Sequence, residues 1–143
     1  ENADEYLEVV DRLRRKFDTA AELVPEPVTE TSNKSSCAIV TLGSCEGAVH
    51  ETRSKLAAEG VQTDYMRIRA FPFSKSVIEF LAGYSQVFVV EQNRDAQFCN
   101  LLQTEAGVSV DKLIPILSYG GMPIACEDIY GPILEKISQG KAA

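Results

Sequence analysis

The sequence predicts an α/β fold, a mostly parallel sheet with helices on both faces. Three observations predict it. Short apolar runs recur at Cys37–Leu42, Asp64–Ile68, Gln86–Glu91 and Leu113–Leu117. Helical patterns separate them, most closed by a glycine. One run, Val87-Phe88-Val89-Val90, is unbroken β-former, the composition of a strand buried on both faces. Strands alternating with helices mean βαβ units and a parallel sheet. At 143 residues the chain is one ordinary domain with room for a sizeable core.

Taken in order, Asp4–Phe17 places Tyr6, Leu7, Val10, Leu13 and Phe17 on one helical stripe. Acidic residues near its start and basic ones near its end suit the helix dipole. Glu22–Ser36, with Pro25 and Pro27, reads as an extended connector, and Leu23-Val24 as a short edge strand. CAIVTL (Cys37–Leu42) is a buried strand, Gly43-Ser44 a turn, and Cys45–Glu59 a helix stopped by Gly60. Asp64–Ile68 alternates as the next strand. Phe71-Pro72-Phe73 is a rigid loop, and Ser74 caps a helix that Gly83 ends. Gln86–Glu91 leads into a helix at Asp95–Ala106, closed by Gly107. Pro115 assigns Leu113–Leu117 to a sheet edge. After the tight loop Tyr119–Pro123, a last helix from about Glu127 is interrupted at Gly131-Pro132.

Composition narrows the function. Twenty-one acidic residues against fourteen basic ones leave a net charge of −7, which excludes nucleic acid and anionic membrane as main partners. No apolar stretch is long enough to span a bilayer and no signal-peptide pattern opens the chain, so a cytoplasmic protein is expected. Cys37, Cys45, Cys99 and Cys126 have wide, irregular spacings, which argues for buried reduced thiols rather than a zinc or iron–sulfur site. The chain opens at Glu1 without Met, directly into a helix, as a fragment of a longer protein would.

Four constellations carry the candidate site residues. Gly43-Ser44-Cys45-Glu46-Gly47 joins a strand to a helix, whose free N–H groups can hold an anion. It is neither GxGxxG nor a P-loop, Glu46 repels anions, and Ser44 as a simple N-cap is the plainer reading. Glu91-Gln92-Asn93-Arg94-Asp95-Ala96-Gln97 sits where strand meets helix, the end of a parallel sheet at which contacts concentrate. Glu91, Asn93 and Gln97 there fit a contact with a partner; the alternative is self-contained capping, for which Asn93 is suited, plus a salt bridge involving Arg94. Arg67 and Arg69, beside Phe71 and Phe73, fit an anion grip or the polar rim of an interface around aromatic anchors. The lone His50 falls off the Cys45/Val49/Thr52/Leu56 face and is expected exposed, with no partner to make it a general base. No catalytic group and no metal-binding cluster stands out.

The motifs TLGSCEGAV (Thr41–Val49), MRIRAFPF (Met66–Phe73) and VFVVEQNRDAQF (Val87–Phe98), in that order and spacing, resemble one family. They are similar to the C-terminal part of the alpha subunit of 2-oxoacid:ferredoxin oxidoreductases, particularly the 2-oxoglutarate type. LSYGGMPIACEDI (Leu117–Ile129) resembles that subunit's closing segment, and Arg15-Lys16 the stretch leading into this domain. The likeness spans nearly the whole chain, and Glu91–Gln97 is its most specific part. Many relatives have Gly before the Gln, where this chain has Ala96.

The resemblance implies a transketolase C-terminal-domain-like fold, a three-layer αβα sandwich. It divides the chain into a linker helix (1–21), a connector (22–36) and an α/β domain (37–143). It also implies oxidative decarboxylation of a 2-oxoacid such as 2-oxoglutarate to the acyl-CoA, with electrons passed to ferredoxin. Thiamine pyrophosphate, magnesium and iron–sulfur clusters are then expected elsewhere in the complex, none bound by this chain. The chain becomes a non-catalytic scaffold, inactive alone, that meets the beta subunit and the rest of the alpha subunit. Gly43, Ser44, Glu46 and Gly47 would shape one contact loop, and Glu91, Asn93 and Gln97 the other. The alternatives are a C-terminal domain of a transketolase or pyruvate dehydrogenase beta chain, and a free-standing small-anion-binding module.

Overall fold

A computed structural model of the chain describes residues 2–32 and 35–140. Two connector positions, 33 and 34, lie outside the described residues, as do Glu1 and positions 141–143. The elements in chain order are α1 (Ala3–Leu23), β1 (Val28–Glu30), β2 (Cys37–Leu42), α2 (Glu46–Ala58) and β3 (Asp64–Ile68). They continue with α3 (Lys75–Ala82), β4 (Gln86–Glu91), α4 (Gln97–Ala106), β5 (Leu113–Leu117) and α5 (Cys126–Gly140). The five strands form one sheet in the order β1-β3-β2-β4-β5. Only β1 runs antiparallel; the other pairings are parallel.

Two cores flank the sheet. On one face Val40, Met66, Val87 and Val89 pack with Val77 and Leu81 of α3 and Phe98 and Leu102 of α4. On the other, Ile39, Tyr65, Phe88 and Val90 pack with Val49 and Leu56 of α2 and Ile129 and Ile133 of α5. Alternate residues of β4 therefore feed opposite cores, which is why its sequence is apolar without a break. Burying each such side chain contributes about 1.5–3 kcal/mol. The three layers expected from the resemblance are present. Helix α1 lies outside them and buries none of its residues.

Several local expectations are corrected. The edge strand lies at Val28–Glu30, after Pro27, whereas Leu23 still belongs to α1. A 3-10 turn occupies Gly43–Cys45, so α2 begins at Glu46, and Ser44 makes no capping bond. Ser74 precedes α3 but makes no capping bond; its hydroxyl donates instead to Glu26 Oε2, 3.2 Å away. Helix α5 runs unbroken through Pro132, which faces outward where its missing N–H is least costly. Helix α4 starts two residues late, at Gln97, for a reason that lies in the site itself.

Candidate functional site

The carboxyl ends of β2, β4 and β5 lie side by side, because these strands are parallel neighbours. Their loops therefore leave the sheet at one rim. Ser44 from the first loop, Gln92 from the second, and Ser118, Tyr119, Gly121, Met122, Pro123 and Ile124 from the third line a cleft of about 570 Å³. Its outer wall is apolar and open: Tyr119 is 65% and Met122 75% exposed. Leu42, at the end of β2, adds a third exposed apolar side chain nearby. Gly43 turns the chain at the end of β2 with φ +72°, a conformation that disfavours any side chain.

The polar motif beside the cleft is folded in on itself. Glu91 ends β4 and is only 4% exposed. Its carboxylate accepts from the backbone N–H groups of Phe98 (2.8 Å) and Cys99 (3.0 Å). Asn93 donates its side-chain amide to the same carboxylate. The Asn93 carbonyl accepts from the N–H groups of Asp95 (3.0 Å) and Gln97 (3.1 Å). Together the two side chains cap α4, whose own N-cap residue, Ala96, provides no side-chain bond. A carboxylate at a helix N-terminus also suits the dipole. To bring those N–H groups round, Ala96 takes left-handed angles, φ 51° and ψ 41°. That conformation costs a non-glycine residue about 1 kcal/mol.

Glu91 is thus removed from the set of partner contacts, and Asn93 is largely committed to capping. Gln97 is exposed at the start of α4, Gly43 and Ser44 are exposed on the adjoining turn, and Gly47 is exposed in the first turn of α2. Glu46 and Arg67 are half-buried and paired with each other at 2.6 Å, so Arg67 is not free to grip an anion. Arg69 is exposed and reaches the Glu26 carbonyl of the connector at 3.5 Å. The structure brings the Gly43 and Glu91 loops together, as Cys45 Sγ lying 3.9 Å from Gln92 Oε1 attests. Gln92, Ser118, Tyr119 and Met122 were not among the candidates; the Gly120-Gly121 pair between aromatic and methionine was their one sequence signal.

His50 is not isolated. It is half-buried on α2 between Glu30 (3.9 Å) and Glu46 (3.7 Å), with its ring edge-on to Tyr65 at 5.2 Å. Arg53 pairs with Glu30 and lies 5.4 Å from the same Tyr65 ring. This chain of charges ties β1 and β3 to α2, and His50 does not line the cleft. All four cysteines are free and buried. Burial, with Glu91 beside it, pushes the Cys45 thiol above its ordinary value, which keeps it protonated and unreactive. Glu51, Cys126 and Glu127 bring three ligand atoms within 4.8 Å of one another, but the Lys55 ammonium bonds both carboxylates at 3.1 Å and fills that role itself.

This fold is that of a split-gene transketolase, with which the chain has 12% identity and a TM-score of 0.63 over 79% of its length and 42% of that chain's. The architecture is the transketolase C-terminal-like sandwich. Its relatives are 2-oxoacid:ferredoxin oxidoreductases, and those named by subunit are alpha subunits. The 2-oxoacid:ferredoxin oxidoreductase subunit alpha of Saccharolobus solfataricus is 27% identical over 132 residues, covering 89% of this chain and 21% of that protein. The 2-oxoglutarate:ferredoxin oxidoreductase of Magnetococcus marinus, with 2-oxoglutarate, coenzyme A and succinyl-CoA bound, superimposes with a TM-score of 0.78 and 25% identity. That match covers 96% of this chain and 24% of the other. The alpha chain of a probable 2-oxoacid ferredoxin oxidoreductase from Thermoplasma acidophilum gives a TM-score of 0.54 at 23% identity, over 79% of this chain and 97% of that one. The chain spans about a fifth of the length of that Saccharolobus solfataricus subunit. No protein-family model matches it.

Proposed function

We propose that this chain is the scaffold and interface portion of a 2-oxoacid:ferredoxin oxidoreductase alpha subunit. The linker helix (1–21) leads into it, and the connector (22–36) contributes an edge strand to the α/β body (37–143). The assembled enzyme oxidatively decarboxylates a 2-oxoacid such as 2-oxoglutarate to the acyl-CoA and passes the electrons to ferredoxin. Thiamine pyrophosphate, magnesium and iron–sulfur clusters belong to the rest of the complex, in the cytoplasm.

The observation that carries this reading is the open rim at the carboxyl end of the sheet. Exposed Tyr119 and Met122 line the cleft there together with polar Ser44 and Gln92, and Leu42 and Gln97 are exposed on the elements that adjoin it. Aromatic and methionine anchors inside a polar rim are the composition of a protein interface. Among the described residues no cation lines the cleft, and Arg67 and Arg94 are paired with Glu46 and Asp95, which speaks against the small-anion module. We assign this rim to the beta subunit. Co-purification of the beta subunit with this chain tests it. Ser44→Arg and Gln97→Ala, both at exposed positions, reduce recovery of the beta subunit without unfolding the chain. Undiminished recovery with both variants overturns the assignment.

A further inference from the structure

Helix α1 carries an apolar stripe that the body leaves uncovered: Tyr6 is 69%, Leu13 55%, Val10 42% and Phe17 41% exposed. Its one aromatic contact with the body is Phe17 against Phe71, ring centroids 5.6 Å apart, so the first half of the stripe stands clear. The stripe has a coiled-coil period. Ala3, Tyr6, Val10, Leu13, Phe17 and Ala20 follow in alternating steps of three and four, the a and d positions of a heptad. Such a seam calls for a second helix.

The charges on α1 point to which helix. Residues 4–11 carry Asp4, Glu5, Glu8 and Asp11 and no cation; residues 12–16 carry Arg12, Arg14, Arg15 and Lys16 and no anion. A parallel pairing of two such helices sets like blocks side by side. An antiparallel one sets each acidic block against a basic block and opposes the two helix dipoles. In that register Tyr6 faces Phe17 of the other copy, Val10 faces Leu13, and Ala3 faces Ala20. Arg14 lies across from Leu7, whose neighbours along the same edge are Asp4 and Asp11, and Lys16 lies across from Val9, beside Glu5. Both cations lay their aliphatic stems over an apolar residue and reach an acid.

We propose that α1 is a self-association surface, pairing antiparallel with α1 of a second copy of this chain. The proposal stands on the helix alone and does not depend on the enzyme reading. Sedimentation equilibrium of the chain over a rising concentration series tests it. A reversible dimer is expected, weakened about thirtyfold or more by Leu13→Glu. Circular dichroism of that variant should still show the helix content of the parent, since α1 buries no residue against the body. For orientation, mild oxidation of a mixture of Val10→Cys and Leu13→Cys chains should cross-link the two variants to each other faster than either to itself. A monomer at every concentration overturns the proposal and leaves the stripe to a different domain. A dimer indifferent to Leu13→Glu overturns it too, and self-cross-linking of Val10→Cys as fast as the mixed pair overturns the antiparallel arrangement.

Discussion

Two loops leave the same end of the sheet with opposite characters. The Glu91–Gln97 loop is dense in polar groups, yet its best hydrogen-bonding atoms are spent inside the protein, on the first turn of α4. The Ser118–Ile124 loop has little polar chemistry, yet it exposes Tyr119 and Met122 to solvent. Density of charge and amide therefore marks a structural device here, and exposed apolar surface marks the place we assign to a partner. A buried carboxylate with all its oxygens engaged is costly to disturb and has nothing left to offer a ligand.

The largest expected effect follows from that. Glu91→Ala leaves the Phe98 and Cys99 N–H groups buried without acceptors and should cost about 3 kcal/mol, read as a lower urea midpoint. Glu91→Gln keeps the shape and one acceptor and should cost less. If Glu91→Ala is neutral, the closed character of the first loop is wrong.

Asp64, at the amino end of β3, is a second closed carboxylate and extends the comparison to the far side of the sheet. Burial alone would raise its proton affinity, but bonds from the Ser32 N–H (2.8 Å), the Tyr84 hydroxyl (2.7 Å) and the Ser32 hydroxyl (2.9 Å) outweigh it and hold the carboxyl below the ordinary range. The unfolded chain then binds this proton more readily than the folded one. Its stabilisation is complete above about pH 4 and is lost as the pH falls from there through the folded value. Unfolding measured against pH should show an acid limb that is smaller in Asp64→Asn. Equal acid limbs in the two chains would break the parallel.

A smaller effect sharpens the account of α4. Ala96→Gly relieves the left-handed strain and should raise stability by up to about 1 kcal/mol, visible as a rise in Tm. A fall in Tm would mean that the cap does not depend on that backbone conformation.

How much of this was legible in the sequence depended on whether the cause was local. β2, β3 and β4 fall where their apolar runs place them, because burial on both faces writes itself directly into composition, and β5 falls at the sheet edge that Pro115 assigns it. The prolines mark a break but do not show whether the edge strand forms at Leu23-Val24 or after it; only the pairing of Val28, Thr29 and Glu30 with β3 shows on which side it lies. The same dependence on pairing hid the surroundings of His50, since Glu30 arrives on that strand. Asn93 was legible as a cap. Glu91 was not, because its burial requires the turn at Ala96, a residue whose type gives no sign of positive φ. The Ser118–Ile124 loop was legible as a tight turn but not as a wall of the cleft, which exists only once β5 lies beside β4.

The measurement that tests the central contrast most directly is a binding titration of the beta subunit against two purified chains, Glu91→Gln and the double variant Tyr119→Ala/Met122→Ala. The double variant should lose tenfold or more in affinity while its urea midpoint stays within about 0.5 kcal/mol of the parent's equivalent. Glu91→Gln should lose stability and keep its affinity. The reverse pattern, affinity lost through Glu91 and retained without Tyr119 and Met122, would contradict the account.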